Sequence, residues 1–230
     1  MRRYEELLKL YKHPYTLMRV GRNSDGGYVV PKELIDDDLL TCGINDEISF
    51  EESYLRFISK PNIHAFDGTI AKFPSINPNF NFHKMNIGPT DTTSEISLNS
   101  IIDKYFKNGN KIFLKMDIEG AEYTSFDTLS ESNLNKFSCI VIEVHWIDRE
   151  YQKFEKLMNK IEDKFFLVHK HDNNNGKYFI YENKLIPNVH ELTFIRKDLI
   201  GKAEVAEQRI HIEGLDYVNN TRRETKTPDL

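Results

Sequence analysis

Cysteine is scarce in this chain, two in 230 residues, and that scarcity removes whole classes of protein from consideration. Cys42 and Cys139 each sit inside an apolar, strand-like run, where a free thiol behaves as a small core residue. Neither a disulfide framework nor a cysteine-based metal site is expected. Long apolar runs are missing too: no stretch approaches the roughly 20 residues needed to cross a bilayer. The opening Met1-Arg-Arg-Tyr-Glu-Glu has no apolar core of the signal-peptide kind. A cytoplasmic location without membrane insertion is expected. There is no excess of basic residues either. With 31 Lys and Arg against 36 Asp and Glu the formal net charge is -5 at pH 7, so no overall positive field draws the chain to nucleic acid. The G-x-G-x-x-G loop of dinucleotide-binding proteins is absent.

What remains is a patterned chain long enough for one α/β domain over 1–230, without internal repeats. Tyr4, Leu7, Leu8 and Tyr11 mark an amphipathic helix that packs as a flap within 1–30, before the turn signal Asp25-Gly-Gly27. From 39 to 197 short apolar runs alternate with helical faces. Strands are expected at Leu39–Cys42, Ile63–Phe66, Phe82–Ile87, Ile112–Met116 and Cys139–Ile142. Helical patterns lie at Ser53–Ser59, at Leu98, Ile101, Ile102 and Tyr105, and at Phe154, Leu157, Met158 and Ile161. This is βαβ spacing, which implies a mostly parallel sheet with helices on both faces. Phe165–His169 and Val189–Ile195 have no helix-length apolar pattern between them and should pair antiparallel. Residues 202–230 read as a loosely held polar tail, though Leu215-Asp-Tyr217 could dock.

The segment Lys111-Ile-Phe-Leu-Lys-Met-Asp117-Ile-Glu119-Gly-Ala-Glu122 runs a strand directly into three carboxylates around one glycine. Ligands of open α/β sheets collect beyond the carboxyl ends of strands, so Asp117 stands where chemistry happens. Glu122, and with even weight Glu119, can instead be read as acids favouring the positive end of the next helix. Gly43 ends the first core strand, where a missing side chain lets backbone approach a ligand. Asp67 ends the second, 24 residues later, close to the ~20-residue spacing at which an acid meets a ribose. The pair points to an adenosine ligand, either NAD or S-adenosylmethionine.

Lys115-Met-Asp117-Ile-Glu119-Gly-Ala-Glu122 resembles the signature of FkbM-like S-adenosylmethionine-dependent methyltransferases. Supporting similarities are Gly21-Arg-Asn-Ser-Asp25-Gly-Gly-Tyr28, Cys42-Gly43-Ile with Ser49-Phe50, Phe66-Asp67-Gly-Thr69, Glu143-Val-His145, His169-Lys-His171-Asp-Asn-Asn174 and Glu191-Leu-Thr-Phe194. Together they resemble the branch of small bacterial sugar O-methyltransferases. The resemblance implies a Rossmann-like class I methyltransferase fold: a mostly parallel seven-stranded sheet with an antiparallel last strand. It further implies S-adenosylmethionine as methyl donor, with S-adenosylhomocysteine as product, and a sugar or sugar-nucleotide acceptor for capsule or other surface polysaccharide. Gly43, Asn45, Ser49, Asp67, Gly68, Asn86 and Asp117 are then expected around the cofactor. The glycine-poor loop from Asn45 to Glu51 departs from the family pattern.

Methyl transfer to a hydroxyl also needs a proton acceptor, and a histidine with an ordinary pKa of about 6.5 is neutral at working pH. Alternation places Glu143 with His145 on one face, and His169 with His171. Asp117, His145 and His171 are the expected catalytic residues. Asp117, Glu143, His145 and His171 equally have the makeup of a divalent site for Mg, Mn or Fe. Tyr28, Glu119, Trp146, Asn173 and Asn174 are expected toward the acceptor, since aromatic faces and amides suit carbohydrate. A nicotinamide-dependent sugar-nucleotide oxidoreductase and a non-catalytic adenosine-binding module are the alternatives, and self-association into a homo-oligomer is left open.

Overall fold

The short apolar runs become strands and the amphipathic stretches become the helices that cover them, in a computed structural model that describes residues 2–107, 111–207 and 211–223. The chain opens with one helical turn, α1 (Tyr4–Leu7), and an antiparallel hairpin of β1 (Leu17–Val20) and β2 (Tyr28–Pro31). Next come β3 (Asp38–Cys42), α2 (Ser49–Leu55), β4 (Ile63–Phe66), β5 (Phe80–His83), the short parallel pair β6 (Asn86–Gly88) and β7 (Glu95–Ser97), and α3 (Leu98–Tyr105). Then follow β8 (Ile112–Met116), α4 (Glu122–Thr128), α5 (Glu131–Leu134), β9 (Phe137–Val144) and α6 (Ile147–Lys164). The last part holds β10 (Phe165–Asp172), a hairpin of β11 (Tyr178–Tyr181) and β12 (Lys184–Pro187), β13 (His190–Arg196) and α7 (Lys197–Ile200).

Seven strands form the main sheet in the order β10-β13-β9-β8-β3-β4-β5. β3, β4, β5, β8 and β9 pair in parallel, because crossovers return each strand to the same end of the sheet. Between β10 and β13 the chain makes only a hairpin excursion. β13 therefore runs back antiparallel, and it does so between β10 and β9 rather than at the edge.

Strand alternation separates two cores. Leu40, Cys42, Leu114, Met116, Ile140, Ile142, Leu192 and Phe194 pack with α3, α4 and α6 on one face. Leu39, Phe113, Cys139, Val141 and Ile195 pack with α2 and the β1–β2 hairpin on the other. α3 is started by Ser97, whose hydroxyl accepts from Ser100 N–H, and it turns Leu98, Ile101 and Ile102 inward. Phe154, Leu157, Met158 and Ile161 recur at i, i+3, i+4 and i+7 along α6 and are all buried.

Three expectations are corrected. The N-terminal helix spans only Tyr4–Leu7; Tyr11 instead bridges to Val205, and Tyr4, Leu7 and Leu8 are core residues rather than a flap. The third strand is divided into β5 and β6, with Lys84 and Met85 between them. The tail is not loose over 211–223, where Asp216 and Asn219 are buried by polar partners described below; residues 208–210 and 224–230 lie outside the described residues.

Phe194 is fully buried in β13, so Phe194→Ala is expected to cost about 3–5 kcal/mol. Ile180→Ala, at a position 75% exposed, should stay within about 0.5 kcal/mol. Urea unfolding of the two variants checks this; equal losses would contradict the assignment of the core.

Candidate active site

The three central parallel strands β3, β8 and β9 end side by side, and the chain turns sharply as it leaves each one. Asn45, Glu119 and Trp146 adopt left-handed backbone conformations at these turns, with φ of 52°, 54° and 55°. Such geometry costs a non-glycine residue roughly 1–3 kcal/mol and gathers at functional sites. Between β3 and β8 the fit is closest. Asp117 N–H donates to Cys42 O at 2.9 Å, and a Cβ on Gly43, whose φ is +77°, would lie 1.5 Å from the Asp117 carbonyl oxygen. Only glycine lets the two strand ends meet there. Lys115, buried in β8, props the same turn by donating from Nζ to Gly43 O at 2.6 Å.

A cleft of about 520 Å³ opens over these turns, lined by Gly43, Asn45, Asp67, Asn86, Asp117 and Glu119 among others. Its size suits a small ligand or cofactor. Asp67 Oδ2 accepts from the N–H groups of Ile44 and Asn45, each at 2.8 Å, and Oδ1 accepts from Thr69 N–H at 2.7 Å and from the Thr69 hydroxyl. Burial works against the charged form, but the hydrogen bonds from Thr69, Asn45 and Ile44 outweigh it and hold the carboxyl below its usual range. Four donors occupy the acceptor sites of this carboxylate, so Asp67 moulds the turn after β3. Gly68 lies against Asn86, where a Cβ would come within 2.3 Å of Asn86 Oδ1. Ser49 does not line the cleft: as the first residue of α2 it accepts from Arg22 N–H at 3.0 Å and ties the hairpin to the helix.

At one end of the cleft Asp117 meets a buried cluster. His145 Nδ1 and its backbone N–H lie 2.8 and 2.9 Å from Glu122 Oε1, and Glu122 Oε2 accepts from Gly120 N–H at 2.8 Å. His145 Nε2 then faces Glu143 Oε1 at 3.5 Å, Glu119 Oε2 at 3.6 Å and Asp117 Oδ1 at 3.7 Å. Tyr28 reaches in from β2 and donates to Asp117 Oδ2 at 3.1 Å. Burial alone would depress the imidazole's pKa, but the hydrogen bond to Glu122 and the charges of Glu122 and Glu143 overcome it and raise it to about 11. The surrounding carboxylates thus favour the protonated imidazole over the neutral base expected from the sequence. Burial, reinforced by the Asp117 charge, pushes the Glu143 carboxyl upward. Burial and the same two carboxylates push the Tyr28 phenol well up, so it stays a donor.

His171 does not join this cluster. β13 stands between β9 and β10, so the cross-strand row reads His171, Glu191, Glu143, and Glu191 takes the place expected for the histidine. His171 Nε2 lies 3.0 Å from Asn219 Oδ1, and His171 Nδ1 lies 3.5 Å from Asp216 Oδ1. Asp216 also pairs with His169 Nε2 at 3.0 Å. Asn219 Nδ2 donates to Glu191 Oε1 at 2.5 Å and to Asp25 Oδ1 at 3.2 Å. Residues 211–223 thus form a strap over this side of the site. Of the residues expected at the acceptor, Asn173 donates to Glu143 Oε1 at 2.8 Å, whereas Asn174 is buried and fastens the strap through both backbone groups of Asn220. Trp146 is 42% exposed and Glu119 79% exposed at the rim, and the Trp146 ring covers Gly120.

Glu122, Lys115, Asp25, Glu191, Asp216 and Asn219 were not anticipated as site residues. Five of them lie inside motifs already singled out; Asn219 carries no local signal, because only the docking of the strap gives it a role.

A parallel sheet whose strand ends support a polar cleft defines an α/β protein of the ligand- or cofactor-binding class. Within that class, the model of the methyltransferase FkbM domain matches residues 15–184, and the chain belongs to this family. No curated protein matches. Among solved structures the chain is similar to bluetongue virus VP4, described as a multifunctional RNA-capping production line. The identity is 10%, the TM-score is 0.39, and the match covers 86% of this chain and 30% of that one. The chain spans under a third of that protein.

The strap supplies a pH prediction. Burial opposes the charged form of His171, but Asp216 and Glu191 raise its pKa to about 9, above the unfolded value of about 6.5. Its contribution is therefore complete below pH ~6.5 and lost as pH rises through about 9. Burial likewise opposes the Asp216 anion, yet His169 and His171 hold its carboxyl well below the usual range, so its share is lost only in strong acid. Hydrogen exchange of 211–223, corrected for intrinsic rates, should show less protection at pH 9.5 than at pH 6.5; equal protection would remove the histidine latch.

Proposed function

We propose that this methyltransferase uses S-adenosylmethionine to methylate a hydroxyl of a sugar or sugar nucleotide, in the service of capsule or other surface polysaccharide. The observation that carries the reading is the cleft over the ends of β3, β4 and β8, which meets the carboxylate of Asp117 beside a buried polar cluster. The cleft fits the cofactor in two respects. Gly43 lets the ends of β3 and β8 meet beneath the cleft, and Asp67 fixes the turn after β3 through the Ile44 and Asn45 amides. Gly43, Asn45, Asp67 and Asn86 would hold the cofactor. The sheet order suits the class I methyltransferase arrangement.

When bound, the cofactor supplies an electrophilic methyl: an O–CH3 bond forms as the C–S electron pair returns to sulfur, and the hydroxyl proton leaves. The chain's part is to place the oxygen and take the proton. Asp117, partly exposed in the cleft and fixed by the Tyr28 hydroxyl, is the group positioned to receive it. A weak base suffices, because the oxygen becomes strongly acidic as its bond to carbon forms. The exposed ring of Trp146 offers a face for sugar C–H surfaces, and Glu119 beside it offers an acceptor for sugar hydroxyls. His145 is buried beside it, its ring edge-on to Trp146 with centroids 6.3 Å apart.

Calorimetric titration with S-adenosylmethionine and with NAD separates this reading from an oxidoreductase, and labelled-methyl transfer to a panel of saccharides separates it from a non-catalytic module. Binding of NAD in preference to S-adenosylmethionine would overturn it. Asp67→Ala should weaken cofactor binding by about 10- to 150-fold, because the turn that lines the cleft loses charge-assisted hydrogen bonds worth roughly 1.5–3 kcal/mol. Asp117→Asn should lower turnover by roughly 10²- to 10⁴-fold with little change in cofactor affinity. Full activity in that variant would leave the carboxylate a structural role alone.

A further inference from the structure

His145 Nε2 belongs to a buried residue but makes no hydrogen bond. Its nearest oxygens, on Glu143, Glu119 and Asp117, stand 3.5, 3.6 and 3.7 Å away, beyond the roughly 2.7–3.2 Å of an N–H···O bond. All three converge on the same nitrogen and none closes on it. Atoms that each lie about 2.1–2.2 Å from one ion, at octahedral to tetrahedral angles, are separated from each other by roughly 3.0–3.6 Å. One ligand atom from each of Asp117, Glu143 and His145 lies within 4.8 Å of the others.

The surroundings agree with the spacing. Glu122 holds Nδ1 at 2.8 Å and so aims Nε2 at the three carboxylates, the arrangement in which an outer carboxylate orients a metal-bound imidazole. Among the described residues, no lysine or arginine forms an ion pair with Asp117, Glu119, Glu122 or Glu143; Lys115 is turned to Gly43 O. The neighbouring acid group of Asp25, Glu143 and Glu191 differs, because the Asn219 amide already donates to both Asp25 and Glu191. Asp117 and Glu119 also open to the cleft, which gives an ion a way in.

We propose that Asp117, Glu143 and His145 hold one divalent cation of the Mn²⁺ or Mg²⁺ class, with Glu119 completing the set from the rim and Glu122 acting as positioning residue. A single imidazole among carboxylates, with positions open toward the cleft, suits an oxygen-preferring ion better than a thiolate-preferring one. The catalytic meaning rests on the methyltransferase reading: an ion here would bind the acceptor oxygen and make its proton easier to lose. Cation binding itself rests on the geometry alone, the ion taking the place of any proton on Nε2, which leaves to solvent.

The test is an electron paramagnetic resonance titration of the full chain with Mn²⁺, with Mg²⁺ as competitor, alongside calorimetry of S-adenosylhomocysteine on the same samples. One Mn²⁺ per chain is expected, displaced by Mg²⁺. Asp117→Asn and His145→Ala should each weaken it more than tenfold, and Glu122→Gln by about 10- to 100-fold, with thermal melting confirming that each variant folds. Asp117→Asn, at a partly exposed position, keeps the test alive if the His145 variant fails to fold. No stoichiometric Mn²⁺ site, or a site that survives Asp117→Asn unweakened, overturns the proposal. Bound Mn²⁺ without S-adenosylhomocysteine binding upholds the cation and sinks the cofactor reading; the reverse result sinks only the cation.

Discussion

Four carboxylates gathered around one buried imidazole set the terms for everything near them. Glu122, Glu143, Glu119 and Asp117 all approach His145 within 3.7 Å, and like charges at such separations raise one another's cost steeply in a partly dehydrated setting. The site answers with fixed donors. The Gly120 amide serves Glu122, the Tyr28 hydroxyl serves Asp117, and the Asn173 amide serves Glu143. Much of the local structure can be understood as the supply of these donors, including a hairpin laid across the sheet simply to bring in Tyr28.

That supply depends on strand order. By inserting between β9 and β10, β13 brings Glu191 beside Glu143 and moves His171 one strand further out. Asp216 of the strap then pairs with both His171 and His169, while Asn219 joins Asp25 and Glu191. A segment that follows the last strand of the sheet is thus drawn into the site by groups on two strands, β10 and β13, and a turn. The strap extends beyond the residues matched by the family model, which end at 184. Its partners Asn174 and Asn175 lie inside them.

Much of the sheet was legible before any coordinates, because burial on both faces writes continuous apolar runs. Ile63–Phe66 and Ile112–Met116 are observed with the bounds their composition suggested, and Phe165–His169 and Val189–Ile195 do pair antiparallel. Reading was poorest where apolar periodicity was short. Four positions around Tyr4 resembled a helix face, but Tyr11 is held by Val205 and by Leu167 O, so the helix stops after one turn. Asp117 and Gly43 were legible as site residues because each ends a strand. Glu122 was read mainly as a helix-opening acid, and it is that as well; the partner that changes its meaning, His145, lies 23 residues away.

Local spacing by itself determined the parallel core, the strand-end position of Asp117, and the signature that marks the family, since all of these depend on residues within one or two elements of each other. Tertiary structure alone decided three things: the charge state of His145, the exclusion of His171 from the cluster, and the recruitment of Asp216 and Asn219. Each is a matter of which charges share a dehydrated space. Charge–charge energies depend on separation and burial rather than on distance along the chain, so no periodicity in the sequence records them.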